Sequence, residues 1–381
     1  MQSKSDSKRK ILYFVTEDWY FCSHRLALAL AAKAAGFEVT VITRVRNHGE
    51  LIRAQGINLI PIELSRRGGH FFQELRLLWQ LVRIYRHERP VLVHHVALKP
   101  VLYGTLVARL VRTPVIVNAL AGLGYLFISH GRKTKIMRAV VKTAFRFLLN
   151  RKSDKVILQN PDDVGLLTRS GTIGQRQIAL IRGSGVDTKS FYPAPEEAGD
   201  PIVVLASRML WEKGVGEFVR AARDLRLEGS RARFVLVGRV DPENPGSIGL
   251  DQLIAWNKNG DIEWWGHRDD MANVLRRSHI VCLPSYYGEG VPKALIEAAS
   301  CGRPIVTTDT PGCREIVREG QNGLLVPPKD SKSLVIALRR LIEDPNFRIR
   351  LGIKGRAIVE SEFSIEKVVR ETLAVYQELL R

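Results

Sequence analysis

Two carboxylates eight residues apart, Glu289 and Glu297, lie in the stretch Ser285-Tyr-Tyr-Gly-Glu-Gly-Val-Pro-Lys-Ala-Leu-Ile-Glu297. An apolar run, Ile280–Leu283, ends just before it, and Pro292 is a residue favoured in a first helical turn. The pattern reads as strand, glycine-bearing turn and helix. Free backbone N–H groups at such a turn attract anions, and Gly290 lets a phosphate approach closely. Eight residues span about two helical turns, so with Glu289 just ahead of the helix both carboxylates project towards one ligand. Carboxylates accept hydrogen bonds from sugar hydroxyls, and phosphate with hydroxyls describes a sugar nucleotide. The plainer alternative has Glu289 complementing the helix dipole and Glu297 facing solvent.

A second stretch, Leu205-Ala-Ser-Arg208-Met-Leu-Trp-Glu-Lys213-Gly214, follows another apolar run and opens another helix. Two cations five residues apart at a strand's carboxyl end clamp a diphosphate, Arg208 as a fork and Lys213 as a point charge. Alone, Arg-x₄-Lys is a common surface pair. On the same strand-end face as the Gly290 turn it gains meaning.

The elements that must position these groups are short apolar runs alternating with amphipathic stretches. Strands are expected at 11–16, 38–43, 57–61, 91–95, 115–118 and 155–158, with helices at 23–35, 71–87, 101–111 and 133–149 between them. A second series begins at 202–206 and continues at 234–237, 262–264, 280–283, 305–307 and 323–326, with helices such as 215–225 and 291–300. Runs without polar alternation suit parallel strands covered on both faces, and the β-α-β order implies doubly wound α/β sheets. Turn formers and proline between Gly183 and Asp200 mark a linker. We therefore divide the chain into a domain of residues 1–185 and a domain of residues 186–363. The helical stretch 364–381 is expected to pack back on the first.

Across 381 residues, 45% are apolar and 25% charged, enough for two cores and too much for a disordered or low-complexity chain. The four cysteines, Cys22, Cys282, Cys301 and Cys313, show no metal-ligand or disulfide spacing, which suits a reducing compartment. The basic start, Met1–Lys10, is followed by an apolar run too short for a signal peptide, and no run is long enough to span a membrane. Fifty-eight Lys and Arg against 39 Asp and Glu leave a net charge of +19, which calls for an anionic partner. Nucleic acid is the weaker reading, because no zinc-finger spacing, RNP-type aromatic motif or recognition-helix unit is present.

Together, Ser-Arg208-x₄-Lys213-Gly, Glu289-Gly-x-Pro-x₄-Glu297 and the run Ala299-Ser-Cys-Gly-Arg-Pro-Ile-Val-Thr-Thr-Asp309-x-Pro-Gly312-Cys-Arg-Glu315 resemble the retaining family 4 glycosyltransferases. Gly183-Ser-Gly-Val-Asp187 and Asn322-Gly-Leu-Leu-Val-Pro327 extend the resemblance over essentially the whole chain. It implies the GT-B fold, two Rossmann-like parallel-sheet domains facing across a cleft, the first binding acceptor and the second the nucleotide sugar. Carried over by motif, Arg208 and Lys213 hold the donor diphosphate and Glu289 contacts the donor sugar. Glu297 binds the ribose, the backbone of Gly290, Val291 and Pro292 cradles phosphate and sugar, and Gly238 and His267 line the nucleotide pocket. His267 reads equally well as a solvated loop residue. No metal and no separate cofactor are expected; Asp241, Asp269 and Asp270 read as solvated turn residues.

The amino-terminal half departs from the family. A glycine-rich turn after the first strand is replaced by Val15-Thr-Glu17-Asp18-Trp-Tyr20, then His24-Arg25. Where many members carry a histidine after the fifth strand, this chain has Asn118-Ala-Leu-Ala-Gly122-Leu-Gly124. An asparagine donates a hydrogen bond but is no base. Glu17, Asp18, His24, Asn118 and Gly122 are the acceptor-side or sugar-side candidates; His94 and His95 read more simply as core residues.

The Pro-Gly-Cys-Arg-Glu variant resembles bacterial transferases that use UDP-N-acetylhexosamines and an undecaprenyl-diphosphate-linked acceptor in O-antigen, capsule or glycan assembly. Between Arg132 and Leu149, Lys135, Arg138, Lys142 and Arg146 recur at helical steps beside Ile136, Val140, Ala144 and Leu148. Such a helix lies on an anionic bilayer or packs on the core with a solvated charged face. The former gives a peripheral enzyme on the cytoplasmic face of the plasma membrane, with the 71–87 helix as a second contact. Two rivals are a UDP-sugar epimerase of the same fold and a non-catalytic basic binding protein.

Overall fold

The computed structural model describes residues 9–64, 71–122, 131–286 and 288–381. Within them the apolar runs become strands buried on both faces. The first sheet holds β1 (Lys10–Glu17), β2 (Glu38–Arg44), β3 (Asn58–Pro61), β4 (Leu92–Val96), β5 (Val115–Leu120), β6 (Asp154–Leu158) and β7 (Ile178–Leu180). It is parallel throughout, in the order β3-β2-β1-β4-β5-β6-β7. The second holds β8 (Ile202–Ala206), β9 (Arg233–Val237), β10 (Glu263–Trp264), β11 (Ile280–Leu283), β12 (Ile305–Thr308) and β13 (Gly323–Val326), also parallel, in the order β10-β9-β8-β11-β12-β13.

Strand order reverses between β1 and β4 in the first sheet and between β8 and β11 in the second. At such a reversal the two following loops diverge to opposite faces and leave a crevice beyond the carboxyl ends of the strands. Lys213 lies in the loop after β8 and Glu289 in the loop after β11. The candidate residues of the second sheet therefore flank its reversal point.

The chain divides into two compact units, Met1–Ile181 with Val368–Arg381, and Arg182–Lys367. Gly183-Ser-Gly-Val belongs to the second, where Val186 N–H donates to Phe363 O at 3.0 Å and Val186 O accepts from Ile365 N–H at 2.9 Å. The helix Ile365–Leu379 turns Val368, Val375 and Tyr376 into the core of the first unit. There the Tyr376 hydroxyl meets the Tyr13 hydroxyl at 3.1 Å and also bonds His94 Nδ1. The helix expected over 23–35 is Leu26–Ala34; a separate short helix, Asp18–His24, precedes it and ends where Arg25 leaves helical geometry.

Candidate active site

Two glycines bring the loops of the second sheet together. After β8 the chain makes a single turn, Trp211–Lys213, that ends on Gly214 at φ +76°. A Cβ on Gly214 would overlap the Pro284 carbonyl oxygen and sit 2.6 Å from its carbon, so only glycine lets this turn rest on the exit of β11. Further on, Thr310 precedes the short helix Pro311–Ile316. A Cβ on Gly312 would overlap the Gly290 carbonyl oxygen and sit 2.6 Å from its carbon and 2.7 Å from the Glu289 carbonyl oxygen. Both glycines fix the peptide run 284–290 by direct backbone contact.

Hydroxyls complete the frame. Thr307 Oγ1 donates to Leu283 O at 2.6 Å, Thr308 Oγ1 donates to Ser285 O, and Tyr286 N–H donates to Glu212 O at 3.0 Å. Glu289 then sits where its two oxygens have different partners. Lys213 Nζ lies 2.6 Å from Oε2 and Ser285 Oγ donates to Oε1 at 2.5 Å. Lys213 and Glu289, far apart in sequence, are thus one ion pair on two strand ends, both side chains largely buried.

The other donor-side candidates have their own partners. Arg208 Nη1 binds Asp241 Oδ2 at 2.7 Å. This corrects the expectation of a solvated Asp241, which the Ser247 hydroxyl and its loop hold in place by accepting Asp241 N–H at 3.0 Å. Glu297 is on the second turn of the helix Lys293–Ser300 and pairs with Lys293 at 3.2 Å. Burial raises its carboxyl pKa, against the pull of Lys293. Pro292 is the residue just ahead of that helix, so the helix starts one residue after it. Gly290, Val291 and Pro292 are buried. Gly238, at φ +146°, packs so closely on Ser207 O that a Cβ would overlap it, and Gly238 N–H donates to Gly266 O at 2.7 Å. His267 stands half-exposed, 3.2 Å from the fully exposed Asp269. Asp270 is not merely solvated: Arg268 grips both its oxygens at 2.8 Å and lowers its pKa.

In the first unit three candidates are buried with partners of their own. Asn118 lies inside β5, opposite His95 of β4, because the strand runs on to Leu120. Fully buried, its Oδ1 accepts from His95 Nδ1 at 2.8 Å and from Thr105 Oγ1 at 2.9 Å. There it braces the core between β4 and β5. Tyr85 OH completes the bracket on His95 Nε2 at 3.1 Å, and burial pushes that imidazole down to about 4. Asp18 is equally buried: its carboxylate accepts from the backbone N–H groups of Trp19, Arg46 and His48 at 2.7–2.8 Å. Burial opposes its charge, but these donors outweigh it and lower the pKa. Asp18 therefore shapes the loop after β2. Glu17, beside it, is buried and paired with Arg44 at 3.4 Å. His24 is half-buried, stacked on Tyr20 with ring centres 4.1 Å apart. Gly122 takes φ +95° just after β5; Gly124 lies outside the described residues.

On the helix Arg132–Leu148 the cations do not form one free stripe. Arg138 and Lys142 are half-buried, and Arg146 donates to the carbonyls of Gly171 and Ser170 at 3.0 and 3.3 Å. The apolar residues split as well. Val141 and Phe145 pack into the core, while Ile136, Met137, Val140 and Phe147 are exposed, Phe147 at 78%.

With the geometry in hand, comparison with known proteins decides the family. Residues 10–160 match the family model described as glycosyl transferase 4-like, and residues 200–344 that of glycosyl transferases group 1. The chain is a family 4 glycosyltransferase. Its two parallel sheets are those of the GT-B fold. This glycosyltransferase is 28% identical over 370 residues, 94% of its length and 95% of the relative's, to the N,N'-diacetylbacillosaminyl-diphospho-undecaprenol alpha-1,3-N-acetylgalactosaminyltransferase of Campylobacter jejuni. It is 24% identical to the Escherichia coli UDP-Gal:alpha-D-GlcNAc-diphosphoundecaprenol alpha-1,3-galactosyltransferase, over 81% of this chain and 80% of that one. Among solved structures, Anabaena HepE in complex with UDP and glucose superposes with a TM-score of 0.77 at 19% identity, covering 97% of this glycosyltransferase and 99% of that chain.

Proposed function

We propose that this glycosyltransferase moves a sugar, an N-acetylhexosamine, from a UDP donor to a hydroxyl of an undecaprenyl-diphosphate-linked glycan, with retention at the anomeric carbon. The observation that carries the reading is the Lys213–Glu289 pair at the reversal point of the second sheet, 2.6 Å apart on loops fixed by Gly214 and Gly312. The donor diphosphate lies against Lys213 and Arg208, the donor sugar against Glu289, and the ribose against Glu297. As the bond from the anomeric carbon to the diphosphate oxygen breaks, negative charge grows on the leaving group, where a preorganised cation stabilises it most. The acceptor oxygen bonds the same face of that carbon and gives its proton to the departing diphosphate. No side-chain nucleophile takes part.

The acceptor class is supported by both relatives named above, which are called transferases to diphospho-undecaprenol glycans. Their sugars differ, so the N-acetylhexosamine rests on the Pro311-Gly-Cys-Arg-Glu315 resemblance. No helix among the described residues is long and apolar enough to cross a membrane. A lipid-linked acceptor then has to be met at the bilayer surface. Exposed Ile136, Val140 and Phe147 beside Lys135 and Arg146, and exposed Phe72, Leu75 and Trp79 on the helix Phe71–Glu88, suit insertion among anionic head groups.

Incubation with a panel of radiolabelled UDP-sugars and an undecaprenyl-diphosphate-linked sugar tests donor and acceptor, and the anomeric proton coupling of the product tests retention. Label passing to lipid is the expected result. A new free UDP-sugar without acceptor would instead make the protein an epimerase, and no conversion with any donor would make it a binder.

A further inference from the structure

Glu289 has two anchors of different kinds. Lys213 reaches it from the β8 loop on a side chain with four rotatable bonds, whereas Ser285 reaches it from the exit of β11 on one. Ser285 is fully buried, and its backbone is held by the Thr308 hydroxyl on its carbonyl oxygen. A serine hydroxyl has a single proton to give. Among the described residues it reaches Glu289 Oε1 at 2.5 Å and Glu212 O at 3.2 Å, and Glu212 O already accepts Tyr286 N–H at 3.0 Å. The short, charge-assisted bond to the carboxylate takes the proton.

We propose that Ser285 is a positioning residue that keeps Glu289 aimed at the donor sugar when Lys213 turns to the diphosphate. The inference rests on the donor-side reading of Lys213 and Glu289. A diphosphate competes with Glu289 for the Lys213 ammonium, because both are anions within its reach. It does not compete for a buried neutral hydroxyl. The lysine then follows the charge that develops on the leaving group, while the serine holds the carboxylate at its other oxygen. The division of labour follows from chemistry: the cation serves the anion that changes, and the rigid donor serves the one that must stay still.

The experiment is a double-mutant cycle read by steady-state kinetics with UDP-N-acetylgalactosamine, or with the UDP-sugar that the panel above identifies, alongside the affinity for UDP itself. Ser285→Ala is expected to lower kcat about ten- to a hundredfold, the range for losing a hydrogen bond to a charged group. Donor KM and UDP affinity stay within twofold. In a Glu289→Ala background, followed through its residual rate, Ser285→Ala lowers kcat by less than threefold, because there is no carboxylate left to aim. Ser285→Thr, which keeps the hydroxyl, restores most of the rate. Should Thr not fit the buried site, Ser285→Cys, a weaker donor of similar shape, is expected to fall between wild type and alanine. An unchanged kcat in Ser285→Ala, or the same loss with and without Glu289, overturns the proposal while leaving the donor-side reading intact. Wild-type transfer by Glu289→Ala alone overturns both.

Discussion

Replacing Gly312 by alanine sets a methyl group into the peptide that carries Glu289. The added carbon would overlap the Gly290 carbonyl oxygen and lie 2.6–2.7 Å from the Gly290 carbon and the Glu289 oxygen. Carbon atoms pack at about 3.5–4.0 Å and the overlapped oxygen is closer still, so the 289–290 peptide must retreat by more than about 1 Å. A displacement of that size at a reacting centre costs about a hundredfold in rate. Overpacking of this kind also costs about 1–3 kcal/mol, or about 2–12 °C in Tm for a domain of this size. Gly229→Ala is the control: its φ of +89° is strained for alanine, but nothing lies within 4 Å of the new carbon. Both variants should melt earlier, and Gly312→Ala alone should lose turnover. The assay pairs UDP release with a thermal melt on the same preparations. A folded Gly312→Ala enzyme with turnover within threefold of wild type would refute the claim that this contact sets the position of Glu289.

Lys213→Ala should lower kcat about 10²–10³-fold, since its proposed work is on charge that appears in the transition state, and should also lower Tm, because Glu289 loses its partner in a largely buried pair; steady-state kinetics at a temperature where a melt shows the variant folded decides it. Glu297→Ala should raise donor KM, because a ribose contact acts equally in ground and transition states, whereas Glu289→Ala should lower kcat; the reverse split would exchange the two roles. Changing Lys135, Arg138, Lys142 and Arg146 together to Gln should weaken co-sedimentation with anionic vesicles by at least tenfold at low salt, and Ile136→Ser with Phe147→Ser should weaken it even at high salt; equal binding by all three proteins would return this helix to solvent. His95 protonates near 6.5 when unfolded but only near 4 when folded. The unfolded chain therefore binds the extra proton first, and this contribution, present above pH 6.5, is lost as pH falls towards 4, by about 2 kcal/mol at pH 5. Melts of His95→Gln should show a flatter decline from pH 7 to 5 than wild type, and parallel curves would mean that His95 is not the group concerned.

The strands were legible because both faces of each are covered, which turns them into bare apolar runs such as Ile202–Ala206 and Ile280–Leu283. β7, Ile178–Leu180, escaped: three residues on a sheet edge carry too little burial to mark the sequence. The short helix before Arg25 escaped because seven residues, Asp18–His24, are too few to show an apolar period. At the site, residue types and local spacing pointed to Arg208, Lys213, Glu289 and Glu297. The partners of three of them did not follow, because Lys213 meets Glu289 and Arg208 meets Asp241 only through strand order, whereas Glu297 meets Lys293 one helical turn away. The partners of Asn118 and Asp18 were not legible either, because which groups a polar residue near a strand end serves depends on where the strand ends and on the loop that folds over it. Ser285 stood in the motif without a role, and only the geometry of its hydroxyl gave it one.

Tyr376 closes a bond to Tyr13 across 363 positions of chain. The first sheet is made early in synthesis, yet part of its core arrives with the last helix. At about 5–20 residues per second, a ribosome spends roughly 20–70 s between the two tyrosines. During that interval the apolar surface around Tyr13, Phe21 and Val96 awaits its cover. Until residues 368–381 are made, that part of the first core stays uncovered. The second unit, contiguous from Arg182 to Lys367, can finish before it. Its fold is local in time as well as in space, and the half that is written first is the half completed last.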